Sequence, residues 1–273
     1  MKILIAADME GMPGVVQWDQ VESDKPDYPH FRDIMTEVVN AAIRGAAEAG
    51  VNEFIVADGH ASASNLLIGK LDVRAQLNSG TPSPLSMVQG AAEGVNGAMF
   101  VGYHARAGTL NAILDHTWSG RILNVWLNGQ VVGEIGLNAA VCGHYHVPVV
   151  LVSGDQSACA EAMDLLGAIE VAVVKRATGR MAAECLALPE ALDKVCEAAA
   201  RAARRLAAGE AFGYFSPVPP IQLGVEFNTS EMADNACLVP GVIRLEGRRV
   251  EIEAGDMVTA YRAFRAMAAL ARG

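Results

Sequence analysis

Positive charge is in short supply in this 273-residue sequence: 21 lysines and arginines face 31 aspartates and glutamates, for a net charge of -10. A protein that grips phosphates needs the opposite balance, so neither nucleic acid nor an anionic membrane is an expected partner. Cysteine is sparse as well. Cys142, Cys159, Cys185, Cys196 and Cys237 are odd in number and form no C-x-x-C pair. That pattern excludes a disulfide framework and a thiolate zinc site, and it points to reduced thiols in a cytoplasmic protein. Long hydrophobic runs are missing, because no stretch nears the roughly 20 apolar residues that span a bilayer. The apolar run at residues 3–7 is too short for the core of a secretion signal. Aromatic residues make up only 5%. The apolar content, 52%, comes largely from alanine instead. With a mean hydropathy of +0.24, this composition suits closely packed helices and extensive subunit contacts.

Periodicity organises the chain. Residues 2–7 (KILIAA) read as a buried strand, and apolar residues at 34, 35, 38, 39, 42 and 43 predict a helix over 31–49. Further strands are expected at 53–57, 73–77 and 98–101. Asn128-Gly129 marks a tight hairpin between 122–127 and 130–132. A helix is expected from Glu134 to His144, a strand at 148–152, a helix at 157–166 and a strand at 169–174. The alanine-rich stretch 180–208 predicts a long helix, broken near Pro189. Pro217, Pro219 and Pro220 then precede a strand at 221–227, a hairpin at 242–252 and a closing helix at 256–271. Alternating strands and helices predict an α/β fold, a three-layer α/β/α core with a mostly parallel sheet. The proline cluster is the expected boundary between an α/β part, residues 1–216, and a smaller C-terminal α+β part, residues 217–273.

Three expected strands end in groups that bind divalent metals: Asp8-Met9-Glu10, Asp58-Gly59-His60 and Gly102-Tyr103-His104. Sites in open α/β sheets form at the carboxyl ends of strands. In extended backbone Asp8 and Glu10 share a face. Imidazole nitrogen with carboxylate oxygen makes an ordinary zinc shell. Each group also has a plainer use. The histidines could be hydrogen-bonded structural residues, and Glu134, at a helix start, could serve the helix dipole. The glycines could serve only turns.

The strings AADMEGMPG, ADGHAS, VGYHARAG, NGQVVGEIGLNA and HVPVVLVSGD occur in that order. As an ordered set they resemble the zinc-dependent D-aminopeptidases linked to bacterial dipeptide transport operons (M55-type metallopeptidases), over nearly the whole chain. The resemblance implies two zinc ions per subunit. Asp8 would bridge them, Glu10 and His60 would complete one site, and His104 and Glu134 the other, with His116 catalytic. It also implies a homodecamer of two stacked pentameric rings and small peptide substrates with an N-terminal D-residue. The flank of His116, Leu114-Asp115-His116-Thr117-Trp118, departs from the family pattern.

Other residues invite a role. Asp58 could orient a ligand from behind or form a turn. Arg106 could bind a substrate carboxylate or make an ion pair. His144 and His146 look like a metal pair but read as structural. The function expected is a metallo-aminopeptidase. Another dinuclear metal amidase, or a non-catalytic peptide or metal binder, would use the same side chains.

Overall fold

The computed structural model describes residues 1–271. The first apolar run forms β1 (Lys2–Ala7), and α1 (Tyr28–Glu48) buries the stripe of residues spaced at three and four positions. β2 (Glu53–Asp58), β3 (Ala75–Asn78) and β4 (Gly97–Tyr103) follow. The hairpin of β5 (Ile122–Leu127) and β6 (Gln130–Val132) turns at Asn128 and Gly129, which have φ of 48° and 82°. Two successive left-handed residues match the right-handed twist of the strands. The chain continues through α2 (Glu134–His144), β7 (Val149–Asp155), α3 (Gln156–Leu166), β8 (Glu170–Gly179), β9 (Ala182–Cys185) and α4 (Leu188–Ala207). It ends with β10 (Ile221–Phe227), α5 (Ser230–Ala236), β11 (Ile243–Arg244), β12 (Arg249–Ala254) and α6 (Met257–Leu270).

The main sheet runs β3-β2-β1-β4-β7-β8-β9, parallel except for the last pair. The helices α1 and α4 pack together on one face, and α2 and α3 cover the other. The approach of α1 to α4 is close: a methyl group on Gly45 would strike the Cys196 carbonyl. Small residues, Ala198, Ala199, Ala202 and Ala203, are buried along α4. The three-layer α/β arrangement expected from the strand–helix alternation is therefore present. A second, antiparallel sheet runs β11-β12-β10-β5-β6. It draws β5 and β6 from mid-chain, and after the proline cluster the chain stays with this sheet and its helices α5 and α6. No helix among the described residues is long and apolar enough to cross a membrane.

One expectation needs correcting. Residues 180–187 are not helical; β8 runs on to Gly179 and turns at Arg180 into β9, which pairs antiparallel with it. Alanine propensity loses here to an open sheet edge, and Pro189 starts α4 instead of breaking a longer helix.

Candidate metal centre

The strands that carry the expected ligands are neighbours, in the order β2-β1-β4. After β1 the chain builds β2 and β3 on one side, then returns to place β4 on the other. Their carboxyl ends therefore diverge into loops that open a crevice at β1. The loops after β1 and β4 cross in near contact. The Gly11 amide donates to the Gly102 carbonyl at 2.8 Å, and a side chain at Gly11 would collide with the Tyr103 carbonyl. Gly102 has φ of 76°, and a methyl group there would strike the Asp8 carbonyl. Close approach demands glycine at both positions, and at Gly102 the left-handed backbone demands it as well.

All six sequence-derived site residues meet in this crevice, and all are buried. His60 Nδ1 lies 3.4 Å from Asp8 Oδ1 and 3.1 Å from Glu10 Oε2. His104 Nε2 lies 3.4 Å from Asp8 Oδ2 and 3.1 Å from Glu134 Oε1. The two oxygens of Asp8 thus address two different histidines. His116 Nε2 stands 3.7 Å from Glu134 Oε1 and 3.9 Å from Glu10 Oε1. Its ring stacks on His104 with centroids 4.0 Å apart, and Trp18 meets it edge-on at 5.3 Å.

Backbone carbonyls assign the tautomers. A carbonyl only accepts, so the ring nitrogen facing it carries the proton. His60 Nε2 donates to Val21 O at 2.9 Å, His104 Nδ1 to Ala105 O at 3.0 Å, and His116 Nδ1 to Leu114 O at 2.8 Å. Each histidine therefore turns its other nitrogen toward the carboxylates. This is the arrangement that orients a metal-ligating imidazole.

Electrostatics follow from the crowding. Burial and the charge of Glu10 push the Asp8 carboxyl up to about 7. Burial also raises Glu10 and Glu134, but the facing histidines outweigh it and hold both below the usual carboxylate range. Burial opposes charge on His60 and His104, yet Glu10 and Glu134 respectively overcome it and raise both rings well above an ordinary histidine. Burial and the neighbouring His104 lower His116. Three carboxylates share one buried volume, and Asp8 Oδ2 and His104 Nε2 lack any hydrogen-bond partner. Orphaned buried polar atoms are costly. An oxygen-and-imidazole donor set with those two atoms unpaired fits divalent zinc.

Several supporting residues were not legible in the sequence. Lys175, on β8, is fully buried and donates to the carbonyls of Glu10, Met12 and Val15 at 2.6, 2.9 and 2.6 Å. It ties the loop carrying Glu10 to a strand three places away in the sheet. Burial lowers its ammonium to about 8, with the charge of Asp155 opposing the shift. Asp155 accepts from Ser157 and Ala158 at the start of α3 and, at 2.7 Å, from the Ile113 amide, so it anchors the His116 loop. Asp115 braces the same loop by accepting from Arg180 at 2.8 Å. Arg180 sits at the β8–β9 turn, where a helix was expected. Trp118 adopts φ of 67° and aims its amide at Glu134 Oε1, 2.7 Å away. Left-handed backbone in a bulky residue marks strain held by its surroundings, and such positions gather at working sites.

The remaining candidates lie elsewhere. Asp58 accepts from the Asn65 and Leu66 amides and from the Asn65 side chain, so it shapes the turn beyond His60. Arg106 lines a separate cavity beside Glu161. His144 and His146 are both exposed. The crevice itself has a volume of about 540 Å³, with Trp18, Met87 and Trp118 among its walls.

Known proteins share this architecture. The family model described as D-aminopeptidase matches residues 1–266. A D-aminopeptidase of Bacillus subtilis (strain 168) is 37% identical over 272 residues, covering 99% of this chain and 98% of that protein. The solved structure of the Zn-dependent D-aminopeptidase DppA from Bacillus subtilis, described as a self-compartmentalizing protease, superposes with a TM-score of 0.96 at 37% identity. It covers 100% of this chain and 99% of that one. With a family match over almost its full length, and a relative this similar from end to end, the chain belongs to the D-aminopeptidase family.

Proposed function

We propose that this chain is a zinc-dependent D-aminopeptidase that removes N-terminal D-residues such as D-alanine from short peptides. The observation that carries the reading is the split geometry of Asp8, whose two oxygens face His60 with Glu10 and His104 with Glu134. A carboxylate so placed offers one oxygen to each of two cations. Two zinc ions held there would supply Lewis-acid polarisation of the scissile carbonyl and a water acidified to about neutral pH. The chain's own groups do the rest. The histidine carbonyl partners keep the ligand nitrogens aimed. Trp18 and Trp118 supply apolar wall to the crevice. His116, its Nδ1 proton tied to Leu114 O, presents a free Nε2. Held neutral by burial and by His104, that nitrogen can take a proton from the attacking water and return it to the leaving amine.

The test is hydrolysis of D-Ala-Gly against L-Ala-Gly by zinc-loaded protein, followed by chromatography of released alanine. Turnover of the D-peptide with little of the L-peptide is expected. Turnover of neither would sink the reading.

Metal uptake should depend on pH with a definite sign. His60 and His104 retain protons above the ordinary histidine range when no cation competes. Zinc must displace those protons, so affinity is weakened as pH falls and strengthened as pH rises. Calorimetry on chelator-treated protein should show proton release on binding and a Kd at least about tenfold tighter at pH 8 than at pH 6. A pH-independent Kd would contradict the assignment of these histidines as ligands.

We further infer a cytoplasmic homo-oligomer, a decamer of two pentameric rings. Five free cysteines support the reducing compartment. Large apolar side chains left on the surface support association, among them Ile68, Val73, Leu110, Val218 and Leu238.

A further inference from the structure

The crevice is sharply polarised. Asp8, Glu10 and Glu134 gather at its floor, and Arg121 is the one lysine or arginine among the residues that line it. Arg121 is half-buried. Its guanidinium makes no hydrogen bond or ion pair within the described residues; only its backbone is engaged. The Arg121 carbonyl accepts from the Asn228 amide at 2.9 Å, and the Asn228 side chain donates to the Gly120 carbonyl at 2.6 Å. Asn228 thus clamps the backbone on both sides and leaves the side chain free to face the cavity.

Distance along the chain fixes the scale. The Trp118 amide holds Glu134 Oε1 at 2.7 Å, and Arg121 follows three residues later. Three residues span at most about 10 Å. Two peptide residues extended from the cluster of carboxylates and histidines would bring a terminal carboxylate into the reach of an arginine side chain. A planar guanidinium with unused donors matches a carboxylate with two parallel hydrogen bonds. Trp18 and Trp118 contribute apolar surface to the cavity wall, and Ser62, Thr81 and Ser119 edge it with hydroxyls.

From this we infer that Arg121 receives the C-terminal carboxylate of the substrate, so the crevice selects di- and tripeptides with a free carboxyl end over capped or longer chains. The inference rests on the peptidase reading above and names its substrate class. Arg106, the arginine nearer to His104 in sequence, does not compete for this role because it faces the other cavity.

The experiment compares D-Ala-Gly with its C-terminal amide, D-Ala-Gly-NH2, on the zinc-loaded unmodified protein and on Arg121→Gln and Arg121→Lys. The unmodified protein should prefer the free acid, mainly through KM. Arg121→Gln should lower kcat/KM for the acid by roughly 10- to 100-fold, the scale of a charge-assisted hydrogen-bonded pair. It should leave the amide within about twofold, and Arg121→Lys should fall between. An acid-to-amide ratio unchanged by Arg121→Gln would overturn the assignment. Binding of the non-cleavable analogue with a reduced CH2–NH link, as acid and as amide, supplies a readout independent of turnover. If the unmodified protein binds the acid form preferentially and Arg121→Gln loses that preference, the carboxylate site stands even where no peptide is cleaved. Equal binding of acid and amide by the unmodified protein would refute it even where D-peptides are hydrolysed.

Discussion

Alanine in place of Asp8 should strip both zinc positions together. Asp8 Oδ1 and Oδ2 face separate histidines, 3.4 Å away in each case, so its loss removes a ligand from both sides and the charge that holds the cations near each other. Elemental analysis after gel filtration should find close to no zinc per chain, against an expected two for the unmodified protein. Glu10→Ala, whose nearest histidine is His60 at 3.1 Å, should retain more. Activity of Asp8→Ala should fall by at least about 10³-fold, because metal polarisation contributes several kcal/mol to the barrier and each 1.36 kcal/mol is a factor of ten. Circular dichroism controls for folding, since Asp8 Oδ1 also accepts from the Met9 amide at 2.9 Å. Loss of one zinc with the other fully retained would contradict the bridge.

His116→Ala should produce the opposite pairing of results: zinc kept, turnover lost. A positioned proton carrier contributes about 10²- to 10⁴-fold to kcat, and that is the loss expected, with KM for D-Ala-Gly little changed. The geometry makes the zinc measurement decisive. His116 offers a ligand atom within 4.8 Å of those of His104 and Glu134, close enough to serve as a further donor to the second metal. Full zinc occupancy with collapsed kcat assigns the proton role. A fall to one zinc per chain would make His116 a ligand, and unchanged kcat would remove it from the chemistry.

The strand ends were legible because chemistry and periodicity coincide there. An apolar run stops, a glycine appears nearby, and an acid or histidine follows, as at Asp8, His60 and His104. Neighbouring parallel strands then bring those ends together without further instruction. Spacing placed Glu10 on the face of Asp8, but its pairing with His60, and the pairing of Glu134 with His104, came from family resemblance. Lys175 gave no signal, since a single lysine in a strand ordinarily reads as a solvent-facing residue. Only the loop folded over β8 turns it into a buried tether. Trp118 was equally opaque: its contribution is a backbone amide aimed by an unusual φ, and side-chain identity carries no trace of that. The stretch 180–187 was misread because local alanine content favours helix, while the deciding interaction is pairing with β8. That error concealed the contact between Arg180 and Asp115 that steadies the His116 loop.

Lys175 also sets an order of events. Asp8, Glu10, His60, His104 and Glu134 all precede it in the chain, so a polypeptide made from its N-terminus contains every proposed metal donor before the ammonium that braces residues 10–15. The proposed donors are complete by residue 134, whereas the three carbonyls of the loop that presents Glu10 meet their ammonium only on β8, which pairs with β7. An N-terminal fragment ending before residue 175 would carry all five proposed donors and lack the ammonium that ties residues 10–15 to β8.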